Sequence, residues 1–245
     1  MQIVNKKVLN RDAIKFIAMF TMLLNHIAYI NLVPLSPIMH DVFEYIGYFT
    51  TPVMCFFLVE GFYHTRSRKQ YGIRLLLFAL ISQIPYGLVA GNDSMNMIFT
   101  LFCCFMILVT MEQSHNMAMR GIICTTLFIV TAYSDWGIVA PLLTVLLYQS
   151  NGDRKKMAWS YKITYVVFSL CNVADYAGRG TYTTVSALMH GAVSGFGILV
   201  AAFIILELYN GKRMERGRTA SKWFFYIFYP AHLLILYLLK TFMLI

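Results

Sequence analysis

A histidine within a long apolar stretch near the N-terminus is the first residue in this sequence that could do chemistry. His26 lies in the segment 10–31, which is apolar after Lys15 for nearly the length that a bilayer crossing requires. An ionisable side chain is costly in such a segment and normally faces the protein interior. An imidazole in that position can act as a general base, become transiently acylated, or take part in a proton relay.

The spacing of the polar and sulfur-containing residues in this segment predicts a continuous helix face. Asp12, Lys15, Met19, Met22 and His26 follow one another at intervals of three or four residues, which places them along one side of a helix. At the helical rise, Lys15 and His26 lie about 16 Å apart along that face. The pattern predicts a charged cytosolic entrance that leads to an imidazole within the membrane.

Two further segments place ionisable groups in or near a predicted span. Glu60 and His64 end the second apolar segment, where they can form a binding site or simply a solvated helix end. His232 follows Pro230 in the last apolar segment. Because proline has no N–H, we expect the Tyr226 carbonyl to be a free acceptor near His232.

A fourth histidine lies in a segment that has an equally good packing interpretation. His190 is followed by Ser194, and the pair Gly191 and Gly195 would let another helix approach closely. His26, His190 and His232 are predicted to lie at comparable depth, which favours a polar cavity over three separate buried side chains. At that depth no His/Glu pair has i, i+4 spacing, so we expect no metal site.

The composition predicts an all-α, polytopic integral membrane helix bundle. The chain has 245 residues, of which 59% are hydrophobic and 13% charged, with a mean hydropathy of +0.64, unlike a soluble domain. No segment outside the apolar stretches is long enough for a second domain, so we expect one domain over residues 1–245. The first segment has no cleavage site and is expected to remain as an anchor. The five cysteines lie in apolar runs without metal-ligand spacing, which favours core packing.

Nine apolar segments are long enough to be considered as spans. Segments 117–134 and 135–150 are short for a crossing, and the number of crossings is seven if both are re-entrant. The nine segments are 10–31, 42–62, 71–90, 96–113, 117–134, 135–150, 158–175, 182–209 and 223–243.

The positions of the basic residues predict a cytosolic N-terminus and an external C-terminus. With that orientation 18 of the 20 lysines and arginines lie on the cytosolic side, and Arg179 and Lys240 are the exceptions. The formal charge of +9 is therefore explained mainly by membrane topology and contact with lipid headgroups. We expect the lipid bilayer, and no nucleic acid, as a partner. A minority of these residues could bind a phosphorylated cosubstrate.

Three blocks of the sequence carry a recognisable pattern: Leu9–Asp12 with Met22–Ile27, Phe57–Arg66 with Arg74–Pro85, and Phe225–Leu233. These blocks resemble the TraX family, which is named for a protein that N-acetylates conjugative pilin and is related to the wider group of transmembrane acyltransferases. Residues from about 115 to 205 match in hydropathy more than in residue identity. The resemblance implies an acetyl-CoA-dependent acyltransferase in which His26 is the catalytic candidate, and it leaves the acceptor open.

On this interpretation the donor binds at the cytosolic entrance and reacts at the histidine. The pantetheine arm would follow the face from Lys15 to His26, with His232 as a further catalytic candidate and Asn25 or Gln83 stabilising the oxyanion. The residues expected to bind acetyl-CoA near the entrance are Arg11, Lys15, Glu60, His64, Arg66 and Arg74.

The acceptor would be an amine or a hydroxyl at or beyond the outer half of a bacterial inner membrane, either a pilin-like peptide N-terminus or a glycan. Two other classes of protein remain as alternatives. A proton-coupled transporter or flippase would use the histidines as a relay, and a non-catalytic assembly factor would need none of them. Acyl chain length and oligomeric state are left open by the sequence.

Overall fold

The protein is described by a computed structural model, which covers residues 7–91, 94–114 and 116–243, with side chains to residue 242. Within these ranges the chain is helical apart from turns, loops and two isolated parallel bridges, Leu9 to Tyr209 and Met95 to Ser134. The prediction of an all-α fold is confirmed. The predicted external position of residue 245 and the cytosolic position of Lys6 lie outside the described residues.

Every predicted apolar segment contains helix. The boundaries are α1 Arg11–Tyr29, α2 Pro37–Gly47, α3 Thr50–His64, α4 Arg68–Ala90, α5 Met97–Gln113, α6 Met117–Thr131, α7 Val139–Ser150, α8 Arg154–Gly178, α9 Thr184–Ser194, α10 Phe196–Phe203, a π-helical turn Ile204–Leu208, and α11 Arg218–Met243.

Two of the predicted segments are interrupted. Segment 42–62 divides into α2 and α3 around Tyr48 and Phe49, and segment 182–209 changes helix at Gly195. Gly197 explains the first break, because a Cβ atom there would lie 2.8 Å from the Phe49 amide nitrogen. The bend between α2 and α3 is thus packed directly against α10.

Among the described residues, four helical stretches are long and apolar enough to cross a bilayer: Pro37–His64, Arg68–Ala90, Thr184–Leu208 and Arg218–Phe242. Helices α5, α6 and α7 are apolar but shorter. Large apolar side chains on α4 are exposed, with Ile84 73% accessible. Such a surface is typical of a helix that faces lipid, so the chain is a membrane protein, while the count of nine crossings stays a prediction.

The chain divides into two compact units, each built from two separate stretches. The first contains the chain up to Val53 and Asp153–Trp223, and the second contains Met54–Gly152 and the chain from Phe224. The prediction of a single domain therefore stays a prediction.

In the first unit α1 packs on α2, and α8 packs on α9 and α10. Gly191 and Gly195 make the α8–α9 contact possible, because a Cβ atom at Gly191 would lie 2.3 Å from Val173 Cγ2 and one at Gly195 would lie 2.6 Å from Ser169 Oγ. The predicted close helix approach at these two glycines is confirmed, and the partner is α8.

The second unit is arranged around α5, which packs on α4, α6 and α7. Its core includes Phe62, Phe105, Leu108 and Leu143, each at most 1% exposed. None of the five cysteines, all of which lie in the described ranges, forms a disulfide. Cys55, Cys103 and Cys104 are buried as predicted, whereas Cys171 is exposed.

Candidate active site

The polar face predicted on α1 points into the protein. Asp12 and Met19 are both 3% exposed, whereas Phe20 on the opposite side is 61% exposed. Lys15 and His26 are half-buried. The helix therefore carries a charged end and an imidazole along one side that is buried or half-buried, and the catalytic role of this face stays a prediction.

The charged end of this face is anchored by Asp12 within the first unit. Its Oδ2 accepts a hydrogen bond from the Met214 amide at 2.8 Å, and its Oδ1 accepts one from the Ser221 hydroxyl at 2.6 Å. The Leu9 amide also donates to the Leu208 carbonyl at 3.0 Å. The start of α1 is consequently held by backbone and side-chain bonds to residues some two hundred positions further along the chain.

The other end of the face carries His26, in the last turn of α1. The adjacent Asn25 donates from Nδ2 to the Glu44 carbonyl at 2.8 Å. A Cβ atom at Gly47 would lie 2.1 Å from the Asn25 Cβ, so the two helix backbones approach closely there. Asn25 thus fixes α1 against α2, and its predicted part in an oxyanion hole stays a prediction.

The second unit contains the other catalytic candidate, His232, which is 5% exposed. Its Nδ1 lies 2.8 Å from the Phe228 carbonyl, and its ring stacks on the Phe228 ring at 4.8 Å. Because a carbonyl only accepts, Nδ1 carries the proton, and the lone pair of the neutral ring is on Nε2. The backbone partner is thus the Phe228 carbonyl, two residues along the chain from the Tyr226 carbonyl that we expected to be free near His232.

Residues that sequence reasoning missed lie close to His232. Tyr229 contacts His232 with ring centres 5.6 Å apart, and its hydroxyl accepts a hydrogen bond from the Met97 amide at 3.3 Å. The Asp135 carboxylate interacts electrostatically with that hydroxyl. The available sequence signal was an acidic residue at the first position of the predicted segment 135–150.

Gln83, the alternative oxyanion donor, is bound within the helix pair α4–α5. Its Oε1 accepts from Asn96 Nδ2 at 2.8 Å, and its Nε2 donates to the Ser94 carbonyl at 3.0 Å. Asn96 in turn caps α5. These hydrogen bonds link the end of α4 to the start of α5.

The connection between α3 and α4 carries the basic residues predicted to bind the donor. His64 is exposed, and its Nδ1 donates to the Glu60 carbonyl at 2.8 Å. This bond caps the C-terminal end of α3, the helix to which both residues belong. Arg68 forms an ion pair with Glu112. Arg66 is exposed.

Arg74 differs from its neighbours. Its guanidinium carbon lies 5.7 Å from the centre of the Tyr71 ring. Its Nε is buried, and no hydrogen-bond acceptor for this atom is found among the described residues. A buried guanidinium donor without an acceptor is costly, and a phosphate oxygen would satisfy it.

The predicted site residues divide between the two units. Arg11, Lys15, Asn25 and His26 belong to the first unit, and the second contains the rest of the set, namely Glu60, His64, Arg66, Arg74 and His232. The sequence pattern contained no sign of this division.

Comparisons with known proteins show the family and one informative relative. A family model described as TraX protein matches residues 10–240. The chain is 28% identical over 242 residues to the probable fimbrial assembly protein FimC, serogroup H1, of Dichelobacter nodosus, covering 94% of this chain and 95% of that protein. No solved structure matches.

Proposed function

Since this chain belongs to the TraX protein family, we propose that it is an integral membrane acetyltransferase that transfers the acetyl group of cytosolic acetyl-CoA to the N-terminal amine of a fimbrial or pilin-type subunit. The acceptor class is supported by the printed description of the relative as a fimbrial assembly protein. The membrane is the bacterial inner membrane, because cytosolic acetyl-CoA must reach an enzyme whose acceptor is exported.

The observation that carries the proposal is the inward-facing side of α1, which leads from Lys15 to His26. His26 acts as the general base: its imidazole takes a proton from the acceptor amine while the amine nitrogen attacks the thioester carbonyl. The carbon–sulfur bond breaks, and the departing CoA sulfur receives that proton from the imidazolium. Atoms and charge balance without a further reactant.

Arg74 supports the use of a phosphorylated donor. Its buried Nε lacks an acceptor among the described residues, whereas the neighbouring Arg68 is neutralised by Glu112. Arg66, in the connection that precedes α4, is exposed. CoA carries phosphate groups that pair well with guanidinium donors, so the start of α4 is the proposed docking point for a phosphate group within the second unit.

The direct test incubates the purified, detergent-solubilised protein with acetyl-CoA and a peptide that carries a pilin-type N-terminus. We expect release of CoA thiol that depends on the peptide, together with a peptide mass increased by one acetyl group. Acetylation of the peptide by the wild-type protein but not by heat-inactivated protein supports the proposal. Absence of both thiol release and acetylated peptide would contradict the proposal. That result would favour a non-catalytic assembly factor, which also agrees with the description of the relative as a fimbrial assembly protein.

Replacement of Arg74 by Gln should weaken donor binding by about ten- to a hundredfold, because one charge-assisted hydrogen bond contributes roughly 1.5–3 kcal/mol. The measurement is calorimetric titration of acetyl-CoA into the purified protein. Lys162→Gln, an exposed cation on α8, is the matched control and should bind the donor as the wild type does. Equal affinities for wild type and Arg74→Gln would exclude this docking point.

The proposed orientation, with the α3–α4 connection in the cytosol, can be tested by labelling. In a background with Cys124 and Cys171 replaced by Ala, Lys69→Cys should be protected from a membrane-impermeant thiol reagent added to spheroplasts. Thr181→Cys, which lies between α8 and α9, should be labelled. Labelling of position 69 and protection of position 181 would reverse the assigned topology.

A further inference from the structure

Three potential metal ligands lie together near the start of α2. His40 and Glu44 are four residues apart on one helix face, and His40 Nδ1 lies 3.9 Å from Glu44 Oε2. The same nitrogen lies 4.0 Å from Asp41 Oδ1. One ligand atom from each of the three residues lies within 4.8 Å of the others.

Side chains from the surrounding helices hold this cluster in place. The Tyr48 hydroxyl donates to Glu44 Oε1 at 2.6 Å, which leaves Oε2 on the side of His40. His190 on α9 approaches Asp41, with Nδ1 3.7 Å from Oδ2. The Tyr45 hydroxyl lies 2.7 Å from the same His190 nitrogen. All of these residues belong to the first unit.

We propose that His40, Asp41 and Glu44 bind a divalent transition-metal ion, with zinc as the reference ion. One imidazole and two carboxylates form a ligand set that zinc uses, and their two negative charges match the charge of the ion. Three protein ligands leave a coordination position for water or another ligand. This site does not depend on the proposed acetyl transfer.

The geometry requires only a small closure on binding. Ligands about 2.0–2.1 Å from a tetrahedral ion are roughly 3.3 Å from one another. Here His40 Nδ1 lies 3.9 and 4.0 Å from the two carboxylates, and the three ligand atoms all lie within 4.8 Å of one another. Side-chain rotations on binding would bring them closer together. The side chains of His40, Asp41 and Glu44 are 33%, 35% and 26% exposed, so an ion can enter from solvent.

The nearby cation, Arg179, does not occupy the proposed metal site. Arg179 interacts electrostatically with Glu44, but its guanidinium gives its hydrogen bonds to Asp175 at 2.6 and 3.0 Å. His190 and Tyr48 touch ligand carboxylates, and neighbours of that kind usually orient the ligands of a metal ion. We therefore assign both as positioning residues.

The expectation of no metal came from considering only His/Glu pairs at mid-membrane depth. His40 and Glu44 have the i, i+4 spacing, but they lie at the start of α2 near a predicted membrane edge. The sequence signal was the short motif His40-Asp41-x-x-Glu44. Its connection to His190 was visible only in the structure.

The test uses tag-free, full-length protein in detergent, first stripped with a chelator. Zinc affinity is measured by competition with a chromophoric chelator, and Co²⁺ is added separately to record its visible absorption, which reports coordination by protein ligands. We expect wild-type protein to bind zinc at one ion per chain, with higher thermal stability in its presence. His40→Ala and Glu44→Gln should each weaken zinc binding by more than about a hundredfold, because each removes a ligand outright.

Two comparison variants separate ligands from their neighbours. Tyr48→Phe should weaken zinc binding by about tenfold while the cobalt spectrum keeps its shape. Glu215→Gln, an exposed carboxylate outside the cluster, should bind zinc as the wild type does.

Wild-type protein that binds no zinc, or a His40→Ala/Glu44→Gln double variant that binds it as tightly as wild type, would overturn the proposal. If a ligand variant fails to fold, the wild-type cobalt spectrum and zinc-dependent stabilisation still decide the question. No measurement here uses acetyl-CoA, so a failed metal site and a failed acetyltransferase assignment are distinguishable.

Discussion

His26→Gln should insert and fold normally yet lose at least about a hundredfold in acetyl transfer, since removal of a general base typically costs that factor or more. Glutamine is of similar size and keeps hydrogen-bonding capacity, but it cannot take up a proton near neutral pH. The residue lies on the inward side of α1, whose charged end is anchored by Asp12. The measurement is the initial rate of acetylated-peptide formation with purified protein.

Two comparison variants test whether the loss of acetyl transfer is specific to His26. Met22→Leu changes the same helix face without touching an ionisable group and should keep a near-normal rate, because the two side chains have similar volumes. His232→Gln tests the catalytic candidate of the second unit. Normal turnover in His26→Gln together with loss of activity in His232→Gln would assign the chemistry to the second unit, where Tyr229 and Asp135 lie near His232.

Asp12→Ala should lower the free energy of unfolding by about 2–5 kcal/mol, because two hydrogen-bond donors lose their acceptor in a buried place and each costs roughly 1–3 kcal/mol. Those donors are the Met214 amide and the Ser221 hydroxyl, at 2.8 and 2.6 Å from the carboxylate. The side chain is 3% exposed, so water cannot replace it. The measurement is thermal or denaturant unfolding of the purified protein in a fixed detergent.

Ser221→Ala is the matched comparison, because it removes one of the two donors and leaves Asp12 bound to the Met214 amide. Its cost should be about 1 kcal/mol, close to that of an ordinary hydrogen bond. An Asp12→Ala protein as stable as wild type would show that this carboxylate does not anchor α1. Equal losses in the two variants would show that the amide bond contributes nothing.

Local features of the sequence were sufficient to place helix in every apolar segment, although not to place the breaks within two of them. Apolar runs of helical length predicted where helices form, and capping residues explain where they begin: Asn10, Asn96 and Asp153 each accept a backbone N–H at the first turn of a helix. The inward face of α1 was also predictable, because helical periodicity places residues three and four positions apart on one side. The glycine pair on α9 predicted a close contact correctly, although not which helix would supply it.

Interruptions within predicted segments needed the structure. Segment 42–62 is apolar throughout, so hydropathy treats it as one helix. The break around Phe49 depends on α10, whose Gly197 packs against this backbone. A partner some 150 positions away in the chain leaves no trace in local periodicity.

The sequence by itself determined the membrane class, the positions of most helices and the family resemblance, because each depends on neighbouring residues or on a recognisable motif. It also predicted His26 as the catalytic imidazole, and that role stays a prediction. Only the tertiary structure decided which polar groups meet. Asp12 bonds to residues 202 and 209 positions away, His190 joins Asp41, and Arg74 has a buried Nε without an acceptor in the described part of the chain. These pairings follow from helix packing, which brings together side chains that are distant in sequence and that no local pattern relates.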